Sequence, residues 1–192
     1  MSFNLKEFAK ENEATKVKRS WAWYQTNVRN VAASSGIGPM KFLGANIENQ
    51  KQSILPGQLV CYTYDPKTKD KLPYYDNFPM VLPFAVSPTH FTGLNIHYLP
   101  PKIRAQLLNK LTAYMTDDKM PVNARIRLSW DLLKNASRFP EVSASVKQYL
   151  FSHVKSNFIR IPPKEWEYAI WLPLERFKKS SNEQVWTGWR NK

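Results

Sequence analysis

Cysteine is almost missing from this chain. Cys61 is the single one in 192 residues, so neither an intrachain disulfide nor a thiolate metal cluster can form. It lies inside an apolar, strand-like run and reads as a small core residue. The three histidines, His90, His97 and His153, sit at no metal-ligand spacing, which argues against zinc. His97, in Asn95-Ile96-His97-Tyr98, reads as a structural hydrogen-bonding residue on a strand rather than an acid or base. No apolar run approaches the roughly 18 residues that span a membrane. The N-terminal MSFNLKEFAKENEATK is charged and has no signal core, so a soluble protein made in a reducing compartment is expected. No glycine-rich phosphate loop is present, because Ser34-Ser35-Gly36-Ile37-Gly38 lacks the lysine and strand context such a loop needs. Acidic residues are few, 15 against 28 Lys and Arg. The one carboxylate group that could hold a nuclease metal is Asp65, Asp70 and Asp76. A turn carrying lysines accounts for Asp65 and Asp70 without it, and a metal-dependent nuclease ranks third among the functions weighed. No cofactor and no small-molecule substrate are expected.

The charge that is present is unevenly placed. Net charge is +13, with eight Lys/Arg against four acids in residues 1–56, three against three in 57–99, and seventeen against eight in 100–192. A neutral centre is thus flanked by basic segments, a balance that suits an anionic partner such as nucleic acid and equally an acidic protein surface or a solvated exterior. Aromatic content is 14%, with seven Trp and nine Tyr.

The neutral centre, Pro56 to Pro101, organises the chain. Alternation predicts strands over Leu59–Tyr64, Met80–Val86 and Phe91–Leu99. Pro66 sets a turn between the first two, and Ser87-Pro88-Thr89-His90 is short enough for a hairpin between the last two. The expected fold is α+β: a small antiparallel SH3-like or open-barrel sheet with packed helices, an N-terminal helical arm and a Trp-rich C-terminal tail. Before this core, Val17, Trp21, Tyr24, Val28 and Val31 line one face of a helix capped by Thr15. Trp21, Tyr24 and Val28 are the partner-binding candidates there. Two readings stay open, packing on the chain's own core or a sister subunit, and docking into a neighbouring protein. Ser34 to Gln58 holds four of the six glycines and reads as a linker.

After the core, Pro101 opens a helix with Ile103, Leu107, Leu111 and Tyr114 or Met115 on its apolar face. A second runs from Val122 to Phe139 with Val122, Ile126, Trp130, Leu133 and Ala136 inward. Its outer stripe of Arg127, Asp131, Lys134 and Arg138 is either an ordinary solvated face or a phosphate-contacting one. A third helix is expected from Glu141 to Lys155, then a short strand at Phe158–Ile161 that adds to the sheet. The last segment carries Arg176, Lys178 and Lys179 and the late tryptophans Trp186 and Trp189, an arrangement that suits base stacking or, preferably, a protein interface.

The stretches YDPKTKDKLPYYDNFPMVLPF and FTGLNIHYLPPKIRAQLL, with Arg127-Leu128-Ser129, Lys147–Leu150 and Trp166–Phe177, resemble the DNA end protector and head-completion family of T-even-type tailed phages and their marine relatives. The resemblance covers Pro56 to the C-terminus, so the arm before it is expected to be particular to this chain. It implies a non-enzymatic virion structural protein, assembled in the host bacterial cytoplasm, that binds double-stranded DNA ends and other virion proteins without a membrane. On that reading Arg127, Lys134, Arg138, Arg176, Lys178 and Lys179 meet phosphates, while Trp21, Tyr24, Val28, Trp186 and Trp189 bind partners. The expected divisions are an arm over 1–55, a core domain over 56–178 and a tail over 179–192. The alternative is a neck, tail or baseplate adaptor with no DNA role.

Overall fold

A computed structural model describes residues 54–115, 117, 119–163, 166–169 and 174–188. The expected arm helix, the linker up to residue 53, and Trp189 lie outside these residues. The architecture is mixed: a five-stranded antiparallel sheet with helices packed on one face. Its strands are β1 (Leu59–Cys61), β3 (Met80–Val86), β4 (His90–Asn95), β5 (Val146–Leu150) and β6 (Ile159–Ile161), in the spatial order β5-β4-β3-β1-β6. A separate two-stranded ribbon pairs β2 (Tyr75–Asp76) with β7 (Phe177–Lys178). The main helices are α1 (Pro101–Met115) and α2 (Val122–Ala136), followed by the short α3 (Pro140–Ser143), α4 (Trp166–Ala169) and α5 (Asn182–Thr187).

Entry into the sheet is set by a proline and a glycine. Pro56 and Gly57 occupy the centre of a turn closed by Gln58 N–H donating to Leu55 O at 3.3 Å, and Gly57 adopts φ +80°. Pro-Gly at these two positions is the type II signature, because only glycine takes that φ without strain. Gly57 N–H then donates to Pro83 O at 2.8 Å. Pro83 lies mid-strand, where it has no N–H to offer the ladder, and the β3–β4 register shifts between Pro83 and Ala85. Its partner across the ladder is Gly93. A Cβ at Gly93 would lie 2.6 Å from Leu82 O and 2.9 Å from the Pro83 Cα, so glycine is what allows the irregular strand to pair there.

Alternation divides the sheet's side chains between two buried layers. Leu59, Cys61, Met80, Leu82 and Leu94 face the helices and join Leu108, Leu111, Leu133 and Trp166 in one core. Val60, Tyr62, Tyr64, Val81, Phe91 and Tyr149 form a second cluster on the other face, with Phe151, Val154 and Phe158 against it. Tyr62 is at its centre, with edge-on rings at 5.0–6.1 Å from Phe158, Tyr149, Phe91 and Tyr64, the geometry that aromatic quadrupoles favour. An isolated antiparallel bridge from Tyr64 to Val154 ties the chain after β1 to the chain after β5, which curls the sheet around these rings.

The third helix expected over Glu141–Lys155 is replaced by the four-residue α3 and by strand β5. Val146 to Leu150 has its apolar residues at helical spacing, Val146, Tyr149 and Leu150, but β4 offers an open edge that pairs with all five of these residues, from Leu94↔Val146 to His90↔Leu150. Pairing there satisfies backbone groups on both strands and buries Tyr149, which a local helix could not do. The third expected strand is likewise cut at Asn95, whose side chain accepts from His97 N–H and starts a 3-10 turn over Ile96–His97–Tyr98. The first expected strand, Leu59–Tyr64, ends at Cys61, and Tyr64 keeps only its isolated bridge to Val154. The other expected elements match in place: α1, α2 to within a turn at its end, the β3–β4 hairpin, and β6, which pairs with β1.

Two substitutions check this packing. Gly93→Ala should destabilise by about 1–3 kcal/mol, because backbone rather than a flexible side chain blocks the new methyl; an unchanged midpoint of urea unfolding would contradict the close approach. Tyr62→Phe should leave stability unchanged or raise it by up to about 1 kcal/mol, since the buried Tyr62 hydroxyl has no hydrogen-bond partner among the described residues. A loss of stability in the same unfolding assay would mean that the hydroxyl is bonded after all.

Candidate nucleic-acid interface

Two groups of basic side chains are presented by different parts of the fold. The first is on α2. Leu133 and Ser129 are buried on its inner side and Trp130 Nε1 donates to Phe84 O at 2.8 Å, which fixes the helix's rotation. Arg127, Lys134 and Arg138 are consequently exposed. Asp131 neutralises none of them: among the described residues the three make no ion pair with a carboxylate. Lys134 Nζ instead lies 4.5 Å from the Trp130 ring centre, a contact that keeps its charge.

The second group surrounds the β2–β7 ribbon. Arg176 and Lys178 are exposed on and beside β7, with the Arg176 guanidinium 5.0 Å from the Phe78 ring centre. Lys179 serves the fold. Its backbone has φ +68°, and its Nζ donates to the carbonyls of Lys69, Asp70 and Leu72 at 2.7–3.2 Å, clasping the 65–72 loop to the ribbon. In that loop Lys69 pairs with Asp65 at 3.0 Å, and the carboxylate raises the lysine's pKa through a hydrogen bond and its charge. Between this loop, the ribbon and β5 lies an open cleft of about 300 Å³. Lys67, Thr68, Tyr74, Tyr75, Lys147 and Gln148 are among its walls, over a floor that includes Tyr98 and Tyr149.

The ribbon is anchored by buried charge. Asp76 Oδ2 accepts from His97 Nδ1 at 2.7 Å and from Asn95 Nδ2 at 3.2 Å, while Oδ1 accepts from the N–H groups of Phe78 and Arg176 at 3.0 and 3.3 Å. Beside it, Arg104 of α1 pairs with Glu175 at 2.7 Å, both side chains buried, and also donates to His97 O and Leu99 O. Burial by itself would raise the Glu175 carboxyl; Arg104, then His97 and the hydrogen bonds, more than offset this and hold it below its ordinary value. Burial, with the Asp76 charge adding to it, pushes the Cys61 thiol and the Tyr62 and Tyr149 phenols well up. Trp186 of α5 completes the network: its Nε1 donates to His97 O at 2.7 Å and its ring lies 5.7 Å from the Arg104 guanidinium. The segment expected as a tail thus returns to the core over α5, which a Ser181–Gln184 capping box starts.

Of the three aspartates that could hold a nuclease metal, two are committed elsewhere, Asp65 to Lys69 and Asp76 to His97. Among the described residues no three His, Cys, Asp or Glu side chains gather as a metal-binding group. No helix among them is long and apolar enough to cross a membrane.

Comparison with known proteins gives a family match. The family model described as "Phage T4 terminal DNA protecting protein" matches residues 2–189. The chain belongs to that family. The match begins at residue 2, so the segment before Pro56 falls within the terminal DNA protecting family rather than being an addition of this chain's own. Neither the curated proteins nor the solved structures yield a match. Of the phosphate-contact candidates, the fold groups Arg127, Lys134 and Arg138 on α2 and Arg176 and Lys178 by the ribbon, and it turns Lys179 to a structural task. Of the partner candidates, Trp186 is bonded within the chain, and Trp21, Tyr24, Val28 and Trp189 lie outside the described residues. The buried Arg104, Asp76, His97 and Glu175 were not legible as a network. Two sequence signals touch it: His97 reads as a structural hydrogen-bonding residue and is bonded to Asp76, and Arg104 lies one position from Ile103 and Ala105 on a helix whose inner face also takes Leu107, Leu108 and Leu111.

Because the folded Glu175 carboxyl is held low, its contribution to stability is present above the usual carboxylate range and is lost as pH falls through the lower folded value. Glu175→Gln should remove that part of the acid dependence. It should also cost about 3–5 kcal/mol at neutral pH, by removing the carboxylate that balances the buried Arg104 charge. Urea unfolding at pH 7 and across pH 5 to pH 2 measures both; an equal acid slope in wild type and variant would contradict the assignment.

Proposed function

We propose that this member of the terminal DNA protecting family is a non-enzymatic virion structural protein that binds the ends of double-stranded DNA and neighbouring virion proteins. The family match over residues 2–189 carries this reading. The cations of α2 support it, since Arg127, Lys134 and Arg138 are exposed on one helix and make no ion pair with a carboxylate among the described residues. Arg176 and Lys178 add a second contact from the ribbon. An end protector has to accept any terminal sequence, and binding carried by phosphates does so. Trp21, Tyr24, Val28 and Trp189 are the residues through which the chain would hold its neighbours in the particle. The curled five-stranded sheet is read as an open, SH3-like barrel that presents these surfaces. The competing reading, a neck, tail or baseplate adaptor without DNA, draws on Phe139, which is 62% exposed between α2 and α3.

Binding of the purified chain to blunt linear duplex, nicked circles of the same sequence and single strands, across a salt series, separates the two. End protection predicts a preference for linear duplex and a steep fall of affinity with salt. Changing Arg127, Lys134 and Arg138 to Gln should flatten the log–log slope by roughly 0.9 for each phosphate that is no longer neutralised, while shifting stability by no more than about 0.5 kcal/mol per site. Equal weak binding to all three DNAs would leave the adaptor.

A further inference from the structure

The cleft between the 65–72 loop, the ribbon and β5 has a composition of its own. Tyr74 and Tyr75 are half-buried rings in its wall and Tyr98 is buried in its floor. Lys67 is exposed at the rim, and Lys147 Nζ lies 4.5 Å from the Tyr98 ring centre. Thr68 and Gln148 add exposed polar side chains. The one carboxylate in its lining, Asp76, is directed to His97, Asn95 and two backbone N–H groups. Asp65, in the adjoining loop, is paired with Lys69. The cleft is therefore aromatic, polar at its rim and positive in charge. Its shape is held from outside: Lys179 clasps the loop through three carbonyls, and β7 holds Tyr75 opposite Lys178.

About 300 Å³ is at the small end of ligand sites and admits one mononucleotide-sized group. A duplex cannot enter it. Tyrosine faces accept any base, and lysines meet the phosphate of the same unit without regard to sequence. We infer that this cleft takes the unpaired terminal nucleotide of a DNA end, its base on the Tyr74–Tyr75 wall and its phosphate against Lys67 and Lys147. The inference rests on the end-binding reading and deepens it, since the α2 cations would hold any duplex whereas the cleft selects an end. A terminal base is the one that can leave its stack at least cost, because it has a neighbour on one side alone. Selectivity for ends then follows without base readout.

The test uses the full chain and linear duplexes carrying a short single-stranded overhang whose last base is 2-aminopurine, with blunt linear duplex and nicked circles as comparisons. Capture is expected to quench the probe beyond its value in free DNA and to favour the overhang over the nicked circle. Tyr74→Ala should weaken overhang binding roughly five- to 150-fold, the range seen when one base-stacking ring is removed. Lys67→Ala should weaken it less, and Lys67→Arg should restore it, with nicked-circle binding retained throughout. Should Tyr74→Ala melt early because the Tyr98 ring loses one of its packing neighbours, the exposed Lys67 pair of variants decides. End preference in wild type that survives Lys67→Ala and Tyr74→Ala, with no quenching, would overturn the cleft assignment and leave end binding standing. Absence of any end preference in wild type would overturn the end-binding reading itself. In that case titration with a deoxynucleoside 5′-monophosphate, followed by NMR shifts, still decides the cleft: shifts confined to its lining support it, and none refutes it.

Discussion

The carboxylate of Asp76 is the fixed point around which the described parts of the molecule meet. Removing an anion from water costs several kcal/mol even after relaxation, so its burial requires that both oxygens be satisfied. Four donors do this, and they come from four places: His97 in the 3-10 turn, Asn95 at the end of β4, Phe78 ahead of β3, and the backbone of Arg176 ahead of β7. The ribbon, the central hairpin and the C-terminal segment are thereby fastened at one buried point. Arg104 and Glu175 extend the same arrangement into α1, and Trp186 covers it. The wall of the cleft depends on it too, because Tyr74 and Tyr75 immediately precede the anchored residue.

Around this point the sheet separates two kinds of packing. The helix side is aliphatic, with Trp166 as its largest member. The other side is rich in rings, several in edge-to-face contact and Phe91 stacked on Tyr149, whose directional preference favours one arrangement over sliding. A sheet buried on both faces has little freedom to deform, so surfaces hung on it keep their spacing.

The positive residues divide into those that serve the fold and those left for a partner. Arg104 is buried against Glu175, Lys69 is paired with Asp65 and Lys179 binds carbonyls. Arg127, Lys134, Arg138 and Arg176 keep their guanidinium or ammonium groups at the surface. The 28 Lys and Arg residues therefore overstate the cations available to a polyanion, and position decides which of them matter.

Much of this was legible in the sequence, and the reason is locality. The strand Met80–Val86, the hairpin at Ser87–His90, the Pro101 start of α1 and the outward stripe of α2 all follow from side-chain period, turn chemistry and proline, which act within a few residues. The arms of the hairpin also set which residues enter the core. Tertiary structure decided the rest. Val146–Leu150 became a strand because β4 had an edge to fill, something its own residues do not announce. Asp76 finds His97 21 residues on and the Arg176 backbone 100 residues on, and Arg104 finds Glu175 71 residues away. No local period encodes such partners, because a buried charge is stabilised by whichever donors the completed fold brings to it. The cleft belongs to the same class: its lysines and tyrosines come from a loop, a ribbon and an edge strand, and only their assembly makes them one surface.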